Sequence, residues 1–274
     1  MSAWRALVLL AVAPASAIAG CSLLVSTDGL SGSAAVAPGN EGGPDTSTAG
    51  DGGADVTADG ADASALPFCD SLVPKPKLCA DFDTGSLTDV GRISGGPPVL
   101  DGTVARSPPR ALLATVETNA TNRYSKVVHD FPDTPTSFVA SFDVYFEEYD
   151  ATHDVELVSL QLRRSTSSSC IVDVSVRMNA WTMDESCDGT PVLAVAHRSG
   201  LFMKLSRWTH IELATDFSLR TFSLAVDGDK TFADAPIQPG LASGVPSLGI
   251  GIAYLQANAT RSKARFDNVV FDYK

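Results

Sequence analysis

Paired carboxylates are the residues of this chain with the clearest chemical reach. Two carboxyl groups about 5 to 5.5 Å apart can cleave a glycosidic bond with retention, one acting as acid and the other as nucleophile. The nearest candidates are Asp143 with Glu147 and Asp154 with Glu156. Both pairs fall in segments of period-two alternation, where alternate residues stand about 6.6 Å apart, and they read as solvated strand-edge residues. The histidines, His129, His153, His197 and His210, are not set beside cysteine, serine or carboxylate in a pattern that marks nucleophilic catalysis, and His210 reads as structural. Asp227-Gly228-Asp229 and Asp184-Glu185-Ser186-Cys187-Asp188 supply oxygen ligands but lack EF-hand spacing, so turn chemistry accounts for both. Cys69, Cys79, Cys170 and Cys187 contain no C-x-x-C pair and no histidine at zinc-site spacing. The chain is therefore expected to use no metal and no cofactor, and to be a binder or structural protein before an enzyme.

These residues are held by strands. Phe138, Ala140, Phe142, Val144 and Phe146 alternate with Val139, Ser141, Asp143, Tyr145 and Glu147; Val172, Val174, Val176 and Met178 alternate with Asp173, Ser175 and Arg177. Further strands are expected at 110–116, 123–131, 155–163, 207–214, 220–227, 247–254 and 264–273. Asp101-Gly102, Asp188-Gly189 and Asp227-Gly228 suit the tight turns between strands. Many short strands without helical periodicity predict an all-β, two-sheet antiparallel sandwich over residues 67–274. Four cysteines allow three pairings. Cys69 with Cys79 and Cys170 with Cys187 are expected, the first closing the opening loop and the second bracing the strand near 171–178.

The N-terminus has another purpose. Arg5, an apolar run from Ala6 to Ala13, and small residues from Pro14 to Gly20 have the layout of a signal peptide over residues 1–20. The run is shorter than the roughly 20 apolar residues a membrane span needs. Ile18-Ala19-Gly20-Cys21 resembles the lipobox of bacterial lipoproteins. That resemblance implies cleavage before Cys21, acylation of that cysteine and attachment to a membrane in the cell envelope. Ser22, in place of an aspartate that retains some lipoproteins in the inner membrane, implies the outer membrane. Residues 21–66 then form a spacer rich in Gly, Ala, Ser, Thr and Asp, with seven acidic residues and no Lys or Arg. Such a segment buries too little surface to offset its ordering entropy and is expected to be disordered. The whole chain carries a net charge of -12 and has no basic cluster, which excludes a nucleic-acid partner on electrostatic grounds.

Trp208-Thr209-His210-Ile211-Glu212-Leu213, then Phe222-Ser223-Leu224-Ala225-Val226-Asp227-Gly228, resemble a strand pair of the laminin-G type of concanavalin A-like jelly roll. Arg265-Phe266-Asp267-Asn268-Val269-Val270-Phe271 resembles the last strand of such domains, and Cys79-Ala80-Asp81-Phe82-Asp83 the first. The E-x-D-x-x-E motif of the family's glycoside hydrolases and the R-x-E-L and Y-F-K-A-G strands of its polysaccharide lyases do not occur. By analogy with the fold, the resemblance implies a surface module binding glycans or envelope polymers. The alternatives are a structural or protein-interaction lipoprotein without a small ligand, and a hydrolase or lyase with an unfamiliar site. If strands 138–147, 155–163 and 171–178 form one meander, a single polar face gathers Asp143, Tyr145 and Glu147 with Ser159, Gln161 and Arg163 and with Asp173, Ser175 and Arg177. Tyr145 beside carboxylate, amide and guanidinium groups would suit a glycan there, and a routine ion pair of Arg163 with Asp173 is the plainer expectation.

Overall fold

Alternation of apolar and polar residues becomes strand after strand in the computed structural model of the chain, which describes residues 67–188 and 193–274. The expected signal peptide, the lipobox at Cys21, the spacer and the Gly189 half of one turn lie outside the described residues. In chain order the strands begin with β1 (Leu78–Ala80), β2 (Arg92–Gly95), β3 (Val99–Asp101), β4 (Ala111–Val116) and β5 (Ser125–Asp130). The long central strands follow: β6 (Ser137–Glu148), β7 (Val155–Ser165), β8 (Ser168–Arg177), β9 (Ala180–Cys187) and β10 (Leu193–Phe202). The last are β11 (Trp208–Asp216), β12 (Thr221–Val226), β13 (Asp229–Pro236), β14 (Val245–Ile252), β15 (Tyr254–Leu255) and β16 (Ser262–Tyr273). Two single helical turns, α1 (Phe68–Ser71) and α2 (Leu87–Val90), precede β1 and β2.

The strands pair antiparallel into two eight-stranded sheets. The first runs β13-β12-β11-β6-β16-β4-β3, with β1 beside β16; the second runs β10-β9-β8-β7-β14-β5-β2, with β15 beside β7. This bears out the two-sheet antiparallel sandwich. Phe138, Phe142 and Phe146 of β6 are buried with Phe266 and Phe271 of β16, against Leu160, Val172, Val174, Trp181 and Ile250 of the second sheet. Both expected disulfides are formed, Cys69–Cys79 tying α1 to β1 and Cys170–Cys187 joining β8 to β9 across an in-register pair.

Two local features differ from the expectation. The more consequential is that β6 and β7, joined by the short segment 149–154, lie in different sheets. They are therefore not neighbours in a meander. β9 is a strand that alternation alone does not mark, because Glu185 occupies an inward position between Met183 and Cys187 and is 2% exposed. Its carboxylate is satisfied by His197 Nε2 at 2.8 Å and by the Gln238 amide N–H at 2.8 Å, as a buried charge requires. At Asp227-Gly228 the expected turn is present, with φ of 51° and 82°, and it links β12 to the polar edge strand β13.

Candidate functional site

The outer face of the second sheet holds a hollow of about 250 Å³. Its floor is set by glycine. Gly249 on β14 faces outward opposite Val128 and Ser159, and a Cβ there would sit 3.0 Å from Lys126 Cδ. Gly251, with φ of 130°, would place a Cβ 2.4 Å from the Ser125 carbonyl oxygen. Without those side chains, Lys126 of β5 lies across β14. Its ammonium stands 5.6 Å from the Tyr124 ring centroid, within cation-π range. Arg92, Ser159, Gln161 and Ser247 complete the lining that matters for recognition.

Behind Lys126 is a carboxylate cluster on β7, β8 and β9. Asp173 pairs in register with Ser159 and with Asp184, and Glu156 pairs with Ser175. Burial and then the Glu156 charge push the Asp173 carboxyl well above the carboxylate range, opposed by a hydrogen bond from Ser159 and by Lys126. Burial and Asp184 raise Glu156, and burial raises Asp184 against the Ser175 hydroxyl and Arg177. Lys126 is lowered by burial, with Asp173 and Glu156 pulling the other way. Arg177 closes the cluster, 3.2 Å from Asp184 and 3.5 Å from Asp154.

A raised carboxyl is what a general acid needs. Asp173 and Asp184, however, are 6% and 8% exposed, and one oxygen of each is sealed from solvent with no hydrogen-bond partner. They form the underside of the surface and do not present themselves to a substrate. What the hollow does present is an aromatic ring, a primary ammonium, an amide and hydroxyls. Those groups suit hydrogen bonding and stacking with a polyhydroxylated ligand. Among the described residues no group of three or more His, Cys, Asp or Glu is arranged to hold a metal ion.

The expected polar face is divided between the two sheets. Gln161, Arg163, Asp173 and Arg177, with Ser159 and Ser175, lie on the outside of the second sheet, while Asp143, Tyr145 and Glu147 lie on the outside of the first. The cause is the β6–β7 connection, which carries the chain from one sheet to the other. The expected Arg163–Asp173 pair is also absent: Arg163 is in register with Ser169, and no carboxylate lies within 4 Å of it among the described residues.

On the first sheet the same polar residues close a loop. Asp143 takes hydrogen bonds from His210 Nδ1 at 2.9 Å and from the Asn268 amide at 2.8 Å. The second nitrogen of His210 lies 3.3 Å from Glu212. The ring thus stands between two carboxylates, an arrangement that favours its protonated form. Burial lowers the His210 pKa, but the Asp143 and Glu212 hydrogen bonds outweigh it and raise the ring to about 9. Asn268, at φ 49°, sits in a bulge of β16. The adjacent Asp267 accepts the N–H groups of Arg106, Ser107 and Asn268 at 2.8–2.9 Å. Burial pushes the Asp267 carboxyl up to about 7 against those donors. Glu147 is ion-paired to Arg265 and Lys263, and Tyr145 packs on Trp208 at 5.5 Å. Every charged member of this group is spent on structure.

Tyr124, Lys126, Arg92 and Ser247 were not anticipated as site residues. A signal existed for one of them: Lys126 alternates with Ser125 and Val127 in an expected strand. Its placement over Gly249, from a strand more than a hundred residues away, had no local trace.

No protein-family model matches the chain, and no curated protein is significantly similar to it. Solved structures are similar to the chain in backbone only. A cellulose induced protein, Cip1, is 13% identical, with a TM-score of 0.52, over 72% of this chain and 98% of its own. A sialidase is 12% identical with a TM-score of 0.42, over 61% of this chain and 16% of its own, so this chain spans a small part of that protein. The carbohydrate binding module CBM66 from Bacillus subtilis is 8% identical with a TM-score of 0.40, over 66% of this chain and 96% of its own. At these identities the likeness is one of fold alone, and of these three it rests on Cip1.

Proposed function

We propose that the chain is an envelope lipoprotein, anchored through lipid on Cys21 and resident in the outer membrane, that displays a non-catalytic glycan-binding sandwich. The observation that carries the binding assignment is the hollow over Gly249, where Tyr124, Lys126 and Gln161 converge on one exposed sheet face. An aromatic ring beside amide and ammonium donors is the chemistry by which sugars are held. The buried carboxylates behind it attract Lys126 through charge and do no bond-breaking.

The binding assignment is tested by a glycan array on the full chain carrying Cys21→Ser, followed by titration with the strongest polysaccharide. Lys126→Ala and Gln161→Ala should each weaken binding about tenfold, or about 1.4 kcal/mol. Tyr145→Ala, on the other sheet, should leave it unchanged. An array without a specific signal, or equal affinity in all three variants, would dismiss the hollow as a glycan site.

The anchor is tested separately. Cells fed a labelled fatty acid should incorporate it into the wild-type chain, which fractionates with membranes. Cys21→Ser should lose the label entirely. Labelling that persists in Cys21→Ser would place the acyl group elsewhere.

A further inference from the structure

Three large apolar side chains stand in solvent at one end of the sandwich: Met178, Phe202 and Leu205 are 63%, 65% and 50% exposed. They belong to the β8–β9 turn, to the end of β10 and to the connection from β10 to β11, which touch. The Asn179 carbonyl accepts the Met203 N–H at 2.7 Å, Arg198 donates to the Met178 carbonyl at 3.3 Å, and Phe202 is in register with Ala180 beside the turn. Met178 and Asn179 have φ of 46° and 63°. A left-handed turn favours Gly, Asn or Asp, so a methionine at its first position is not explained by the turn.

Within the segment from Arg198 to Arg207 the charge has one sign. Residues 198–207 contain Arg198, Lys204 and Arg207 and no acid, in a chain of net charge -12. Arg207 is engaged with Asp227 at 2.8 Å. Arg198 and Lys204 have no carboxylate within 4 Å among the described residues. The neighbouring β6–β7 connection carries Asp150, which Thr152, His153 and Thr260 hold by hydrogen bonds, and Asp154, which is paired with Arg177. Three side chains projecting from turns are too few for a stable protein interface, which buries about 800 Å² per partner. They are enough for shallow insertion into a lipid headgroup layer, where nearby cations add attraction to anionic lipid.

We propose that this end of the sandwich docks on an anionic bilayer surface, with Met178, Phe202 and Leu205 entering the headgroup region and Arg198 and Lys204 meeting lipid phosphates. The contact is separate from the hollow over Gly249 and does not depend on acylation of Cys21. It would hold the sandwich against a membrane in a fixed orientation.

The test is cosedimentation of the full chain carrying Cys21→Ser with vesicles of phosphatidylglycerol and phosphatidylethanolamine, and with vesicles of phosphatidylcholine. The wild-type sequence at all other positions should show excess binding to the phosphatidylglycerol vesicles. Phe202→Ser with Leu205→Ser should reduce that excess about fivefold or more, and so should Arg198→Gln with Lys204→Gln. Lys126→Ala should retain it, which separates this contact from glycan binding. No excess before the further substitutions, or an undiminished excess in either double variant, would overturn the proposal.

Discussion

Asp267→Ala should lower the unfolding free energy by about 3 to 5 kcal/mol, because it removes the acceptor for several buried donors at once. Asp267 is fully buried and receives the amides of Arg106, Ser107 and Asn268, with the Ser107 hydroxyl at 3.2 Å. Two of those amides belong to the segment between β3 and β4, so alanine would release that segment from the first sheet. Urea unfolding followed by circular dichroism measures the effect. A loss below about 1 kcal/mol, the size of one ordinary hydrogen bond, would show that solvent or a shifted backbone replaces the carboxylate. Asp267→Asn keeps the shape and one acceptor oxygen, and should fall between wild type and alanine.

Stability should also decline between pH 6.5 and 9, with His210 as the principal cause. An imidazolium whose pKa is about 9 in the folded chain, against about 6.5 when unfolded, binds its proton more tightly in the native state. Its contribution is complete below about pH 6.5 and is lost as pH rises through 9. The loss is on the order of 3 kcal/mol if the whole shift is realised. Asp267 acts in the same direction at lower pH: a carboxyl raised to about 7 favours the folded chain when protonated, and that part fades between about pH 4 and 7. Urea midpoints at pH 6 and pH 9 for wild type and His210→Gln separate the two groups. A wild-type slope that persists in His210→Gln would assign the effect elsewhere.

Much of the fold was legible because one face of each long strand is buried. The phenylalanines of β6 and the valines of β8 announce their strands, and the Asp227-Gly228 turn is where its residue types require. Both disulfides are the expected ones among the three pairings that four cysteines allow. The arrangement of strands into sheets was less accessible. The six residues 149–154 suit a hairpin as well as a crossing between sheets, and no local property of Tyr149 or Asp150 separates the two. That choice decided the site. Asp143 and Tyr145 were grouped with Gln161 and Asp173 on the assumption of a hairpin, whereas the crossing turns them to opposite outer faces. Lys126 becomes a site residue only because Gly249, distant in sequence, leaves it room.

The inward residues of β9, Trp181, Met183, Glu185 and Cys187, fix its alignment in the second sheet. If β9 slipped by one residue against β8, Glu185 would turn outward and Asp184 and Ser186 would turn into the core, since every side chain changes face with such a shift. Asp184 would then lie buried away from Ser175 and Arg177, and the Gln238 amide and His197 would lose the carboxylate they share. Trp181 and Met183, both buried, would turn outward in the same shift, so the misaligned sheet is far costlier than the aligned one, and the Cys170–Cys187 bond can close only in the aligned register.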